Sequence, residues 1–192
     1  MVYKVADDGV SLDSELEHDG DICDITFCHH GKFLLVGTKK DIYSVWDFAE
    51  RKKIKDLKGV AFTNQLLTNF RAIFAPDNHA VALMGDGKKV FIYDTAQLLD
   101  SSPQDPSVVL EADTKSVSIS WSPDCKKLLI GAWYETIVMD VESKTKIAKF
   151  QISAWNNHAA GVIDPVWLND NTVVGKYDQS NQYGPNVCIK VY

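Results

Sequence analysis

Apolar residues in this chain come in short runs separated by polar or Pro/Gly turns, and the runs recur. Four β-rich runs each close on an aromatic, Phe27, Phe74, Trp121 and Trp167, at spacings of 47, 47 and 46 residues. Turns follow at Cys28–Lys32, Ala75–His79, Ser122–Lys126 and Leu168–Thr172. A second apolar run then stops at or beside a glycine: Phe33–Gly37, Val81–Gly85, Leu128–Gly131 and Val173–Gly175. A third run ends in Trp46-Asp47, Tyr93-Asp94, Met139-Asp140 and Val191-Tyr192. Weaker fourth runs lie at Lys53–Leu57, Ser107–Leu110 and Lys146–Phe150. Runs this short, joined by tight polar turns, predict antiparallel four-stranded meanders. No useful stretch carries a helical period.

The strongest runs are apolar at every position instead of alternating. A strand of that kind is covered on both faces, so the meanders should stack against neighbours on either side, as blades do. The expected fold is all-β, with units at about 10–47, 53–94, 107–140 and 146–192. Val2–Asp7 reads as the third strand of an earlier unit, and Val10–Glu17 as an outer strand after an Asp8-Gly9 turn.

Composition narrows the partners. Of 192 residues, 45% are hydrophobic and 24% charged, with a net charge of −6 and a pI near 5.3. Direct nucleic-acid binding needs the opposite sign. No apolar run approaches the ~20 residues that span a bilayer, and Met1–Lys4 leads into Asp7 and Asp8, not an apolar signal core. Cys23, Cys28, Cys125 and Cys188 form no Cys-x-x-Cys, which suits small thiols in a reducing, intracellular compartment.

Candidate chemistry changes this picture little. Cys23, Cys28, His29 and His30 are the metal-like cluster, but a strand and a tight turn cannot bring them into one tetrahedron, so no metal is expected. Gly85-Asp86-Gly87-Lys88 sits between two strands with no helix to follow, which makes it a hairpin turn and not a phosphate loop. No nucleophile elbow or nucleotide fingerprint is present, so no catalytic residue and no cofactor are expected. Arg51-Lys52-Lys53-Ile54-Lys55 reads as a solvated outer strand whose lysines block edge pairing, or as a patch for an acidic partner. Ser102-Pro103, in a polar insertion, is a weak phosphorylation signal.

Glu17-His18, Phe27, Gly31, Gly37 and Trp46-Asp47, with the Ser122-Pro123-Asp124 turn, resemble the WD-repeat (WD40) family, and the likeness covers essentially the whole chain. It implies a WD-type β-propeller section of about four four-stranded antiparallel blades. WD-repeat rings have about seven or eight blades, so the remainder would come from a longer chain or a second one. Structural repeat positions are then His18, Trp46, Asp47, Tyr93, Asp94 and Asp140, with His158 the counterpart of His18 before the last unit. Lys39 or Lys40 occupies the place of the family's aspartate and Cys125 that of its turn glycine, so the units are degenerate.

The likeness further implies a non-catalytic scaffold that binds other proteins. Loops entering the first strand and joining the second and third carry Trp133, Tyr134, Trp155, Asn156, Tyr177 and Tyr183, and aromatic side chains anchor interfaces. An enzyme built on a propeller and a substrate receptor of a ubiquitin ligase are the alternatives. Val117–Asp124, Ile137–Glu142, Asn157-His158, Val166–Asn171 and Val187–Tyr192 are similar to the transducin-β-like corepressor subunits. That narrower likeness implies a nuclear subunit of a histone-deacetylase complex.

Overall fold

The computed structural model describes residues 1–7, 9–39, 42–58, 72–85, 88–100, 105–112, 116–132, 135–151, 162–181 and 184–191, with the backbone alone at 58, 116–117, 150–151, 162–165 and 175–191. A two-stranded hairpin comes first, β1 (Val2–Ala6) with β2 (Gly9–Ser14). Three four-stranded antiparallel meanders follow. They are β3 (Ile22–Phe27) to β6 (Lys52–Lys58), β7 (Ala72–Phe74) to β10 (Val108–Glu111), and β11 (Ser116–Trp121) to β14 (Lys146–Gln151). The fourth sheet has three strands, β15 (Val162–Asn169), β16 (Thr172–Asn181) and β17 (Gly184–Val191).

The inner members of the middle sheets are β4 (Phe33–Thr38) and β5 (Ile42–Asp47), β8 (Ala80–Met84) and β9 (Lys89–Asp94), and β12 (Lys127–Ala132) and β13 (Glu135–Asp140). First strands lie side by side, β3 on β7, β7 on β11 and β11 on β15, so the sheets succeed one another around them. Each hydrogen-bonded sheet takes in the strand that follows its third, and is therefore offset by one strand from the sequence unit.

The continuous apolar runs have a simple cause. On β8, Ala80, Ala82 and Met84 face the third sheet while Val81 and Leu83 face the first. On β12, Leu128 and Ile130 face the second sheet and Leu129 the fourth. The twofold alternation of a strand is intact, but both of its faces are interfaces. At roughly 25 cal/mol per Å² of apolar surface removed from water, these shared layers are the main source of cohesion.

The turns between first and second strands are copies of one another. Gly31 N–H donates to the Cys28 carbonyl, Asn78 N–H to Ala75 and Cys125 N–H to Ser122. Gly31, Asn78 and Cys125 all adopt left-handed backbone, with φ of 66°, 63° and 60°. The position needs that conformation, and only the first sheet fills it with glycine.

One element departs from expectation. A four-residue helix, α1 (Thr95–Leu98), follows β9, capped by the Asp94 carboxylate accepting from Ala96 N–H at 2.8 Å. One turn is too short to leave a 3.6-residue period in the sequence. It buries Leu98 between the first and second sheets. Among the described residues, no helix is long and apolar enough to cross a membrane.

Candidate functional site

The array has two ends. At one, the turns between first and second strands touch their neighbours. His29 N–H donates to Asn78 Oδ1, and Asp124 N–H to Asp170 Oδ1 at 3.0 Å. Lys127 Nζ reaches the Asp170 carbonyl at 2.9 Å. Between the second and third sheets the Asp77 carboxylate lies within 4.8 Å of the Cys125 sulfur instead, and burial pushes that thiol up. In the same row Trp121 Nε1 donates to the Ile73 carbonyl and Trp167 Nε1 to the Ser120 carbonyl, each at 3.1 Å. These two first-strand tryptophans thus bolt the third sheet to the second and the fourth to the third.

Aspartates ending the third strands also hold turns at this end. Asp47 accepts from Glu50 N–H at 3.0 Å, and Asp140 from Ser143 N–H at 2.8 Å and its hydroxyl at 2.7 Å. These Ser143 hydrogen bonds hold the Asp140 carboxyl below its ordinary value. With Asp94 capping α1, the aspartates at 47, 94 and 140 all serve local backbone. Their partners at 46, 93 and 139 are buried. Trp46 packs with Leu34, Val36, Leu16 and Phe48, and its ring centroid lies 5.0 Å from that of His18. Its Nε1 is buried with no hydrogen-bond partner among the described residues.

The opposite end carries the joins between second and third strands and between fourth and first, because antiparallel meanders place these together. Trp133 and Tyr134 fall between β12 and β13, Trp155 and Asn156 between β14 and β15, and Tyr183 between β16 and β17; all lie outside the described residues. Tyr177, expected in the loop between second and third strands, instead sits within β16, its backbone paired with Val162 and Cys188, because those strands run on as a long hairpin to Asn181 and Gly184. His158, Ser102-Pro103 and Asp86-Gly87 also lie outside the described residues.

Close to that end, buried polar groups tie strands together. Tyr43 OH donates to Asp24 Oδ2 at 2.7 Å across Gly37, where any Cβ would come within 2.8 Å of the Tyr43 ring. Glu135, buried, pairs with Lys149, and Ser44 donates to Asp56 at 2.7 Å. These acids bridge β3 to β5, β13 to β14 and β5 to β6, which is cross-strand work. On β6, Lys53 pairs with Asp56, Arg51 just before it reaches Asp13, and Lys55 Nζ meets the Gln97 carbonyl. The basic run therefore lies on and beside the outer strand of its sheet.

Cys23 and Cys28 do not meet His29 and His30 as a ligand set: Cys23 contacts the Gly37 carbonyl, and Cys28 accepts from Phe33 N–H. Among the described residues a donor cluster forms from Asp77, His79 and Cys125, whose ligand atoms all lie within 4.8 Å of one another. Sequence reasoning passed over it because Cys125 belongs to the next unit. The usable signal was that 77, 79 and 125 occupy equivalent turns of adjacent units.

No family model and no curated protein matches the chain. Among solved structures it is similar to the β-propeller domain of Cps50 (Swd1) from Myceliophteria thermophila, at TM-score 0.67 and 11% identity. The match covers 86% of this chain and 52% of that one, so the chain spans about half the length of the propeller domain it resembles. The fold is all-β, a section of a WD-type propeller built of four-stranded antiparallel blades.

Proposed function

We propose that this chain is a non-catalytic scaffold that binds other proteins through the end of the blades opposite the Ser122–Lys126 turn. The observation that carries the reading is the bolting of successive sheets through Trp121 and Trp167. A rigid array of this kind presents loops in fixed relative positions, which is what an interaction platform requires. Supporting it, Asp24, Glu135 and Asp56 are engaged in cross-strand contacts and Asp47, Asp94 and Asp140 in turns, where they hold structure together.

In this reading Trp133, Tyr134, Trp155, Asn156, Tyr177 and Tyr183 form the contact surface. The partner is a peptide or protein domain, and further blades from a longer or second chain complete the ring. The likeness to transducin-β-like corepressor subunits makes a nuclear histone-deacetylase complex the finer proposal.

Affinity purification of wild type against a Trp155→Ala/Tyr183→Ala variant tests this, with circular dichroism as a control on the fold. Partners identified by mass spectrometry with wild type should be depleted at least about tenfold with the variant, a loss of about 1.4 kcal/mol of binding. Equal recovery would sink the assignment of the surface. Deacetylase subunits absent from a wild-type pull-down of nuclear extract would remove the finer proposal alone.

A further inference from the structure

The turns that join first and second strands touch across each sheet boundary, and one boundary is unlike the others. Asn78 and Asp170 each accept a backbone N–H from the preceding turn through a side-chain oxygen. At the boundary between the second and third sheets Cys125 Sγ donates to the Pro123 carbonyl at 3.7 Å and lies within 4.8 Å of an Asp77 carboxylate oxygen. Cys125 sits at the repeated left-handed turn position, where φ is 60° and a Cβ is unfavourable. Two residues beyond Asp77, the His79 ring turns back so that Nδ1 meets the same carboxylate.

We infer that Asp77, His79 and Cys125 form a binding site for a thiophilic divalent cation of the zinc class, spanning the second and third sheets. The donor set is one carboxylate oxygen, one imidazole nitrogen and one sulfur, all within 4.8 Å of one another. Tetrahedral coordination at about 2.0–2.3 Å per bond sets ligand atoms about 3.3–3.6 Å apart, so the direct contact between His79 Nδ1 and the Asp77 carboxylate opens by side-chain rotation to admit the ion, with the sulfur already within 4.8 Å. Sulfur and imidazole in one set select zinc-like ions over magnesium or calcium, which prefer all-oxygen shells.

Access is open, since the side chains of His79 and Asp77 are 54% and 53% exposed. The geometry is held by the turns themselves: His79 N–H donates to Asp77 Oδ1 at 3.0 Å, and Cys125 N–H to the Ser122 carbonyl at 2.9 Å. Three protein donors leave a fourth position for water or for a donor from a binding partner. On binding, the Cys125 thiol releases its proton to solvent and the sulfur bonds to the metal. Because donors come from two sheets, the ion clips them together and stabilises the folded state.

The test is cobalt titration of the reduced, tag-free full chain, followed by the thiolate-to-cobalt charge-transfer band in the near ultraviolet. Wild type should show the band at one cobalt per chain, and zinc should displace it and raise the melting temperature. Cys125→Gly suits the left-handed turn, so it folds; it should lose both the band and the zinc-induced shift. His79→Ala should lose the band as well. A Cys23→Ser/Cys28→Ser variant should keep it. No band in wild type, or a band that survives Cys125→Gly or His79→Ala, overturns the site.

Discussion

His18 shows how a repeat residue becomes a titrating one. Its ring lies against Trp46, and burial lowers its pKa, with the Lys53 charge adding to the effect. The unfolded chain therefore binds this proton more tightly than the folded chain. The stability His18 contributes is fully present above its unfolded value near pH 6.5 and is lost as pH falls through the lower folded value. Urea midpoints of wild type should drop between neutral pH and pH ~5, and His18→Gln should flatten that slope. An unchanged slope in the variant would place the pH response elsewhere. The resemblance to WD repeats singled out both His18 and Trp46 from sequence. That Trp46 buries its Nε1 among Leu34, Val36 and Leu16 depends on packing.

Strands and the turns between first and second strands were largely legible, because short apolar runs and turn chemistry are local properties. What the strands do to one another was less so. Trp121 and Phe74 look alike as apolar ends of first strands, and both are buried. Only Trp121 has a ring nitrogen to donate to the preceding sheet, at Ile73. Trp121→Phe should therefore cost about 1–3 kcal/mol, combining a lost hydrogen bond with a small cavity. Phe74, native at the equivalent place, shows that the backbone tolerates the smaller ring. Equilibrium urea unfolding measures the difference, and a loss under about 0.5 kcal/mol would mean that the bolt contributes little. Helix α1 belongs to this scale too: four residues carry no period, and Asp94 reads equally well as a turn former or a cap.

At the scale of the whole molecule, the first sheet is covered on one side far better than on the other. Its Leu35, Tyr43 and Val45 pack on the second sheet, whereas Ile22, Ile25 and Phe27 of β3 are 47%, 50% and 45% exposed. The β1–β2 hairpin exposes Tyr3, Val5, Val10 and Leu12 as well. Apolar patches of this kind drive association. The isolated chain should self-associate at micromolar concentration, and Ile25→Lys with Phe27→Lys should shift it towards monomer. Light scattering on a size-exclusion column reads the mass directly. A monomeric wild type at that concentration would show that the face is tolerated in water.

Sequence by itself determined the order of the strands, the turns joining first to second strands and the degenerate WD-like repeat. Each of these is written in neighbouring residues: a short apolar run, a Ser-Pro-Asp turn, a glycine at the end of a run. Tertiary structure alone decided which face of each run meets which neighbour, so that Val81 and Ala82, adjacent in the chain, belong to different cores. It also decided that Asp77 and His79 meet Cys125. Those pairings join residues one whole repeat apart, and no local pattern encodes a contact that exists only once two sheets have stacked.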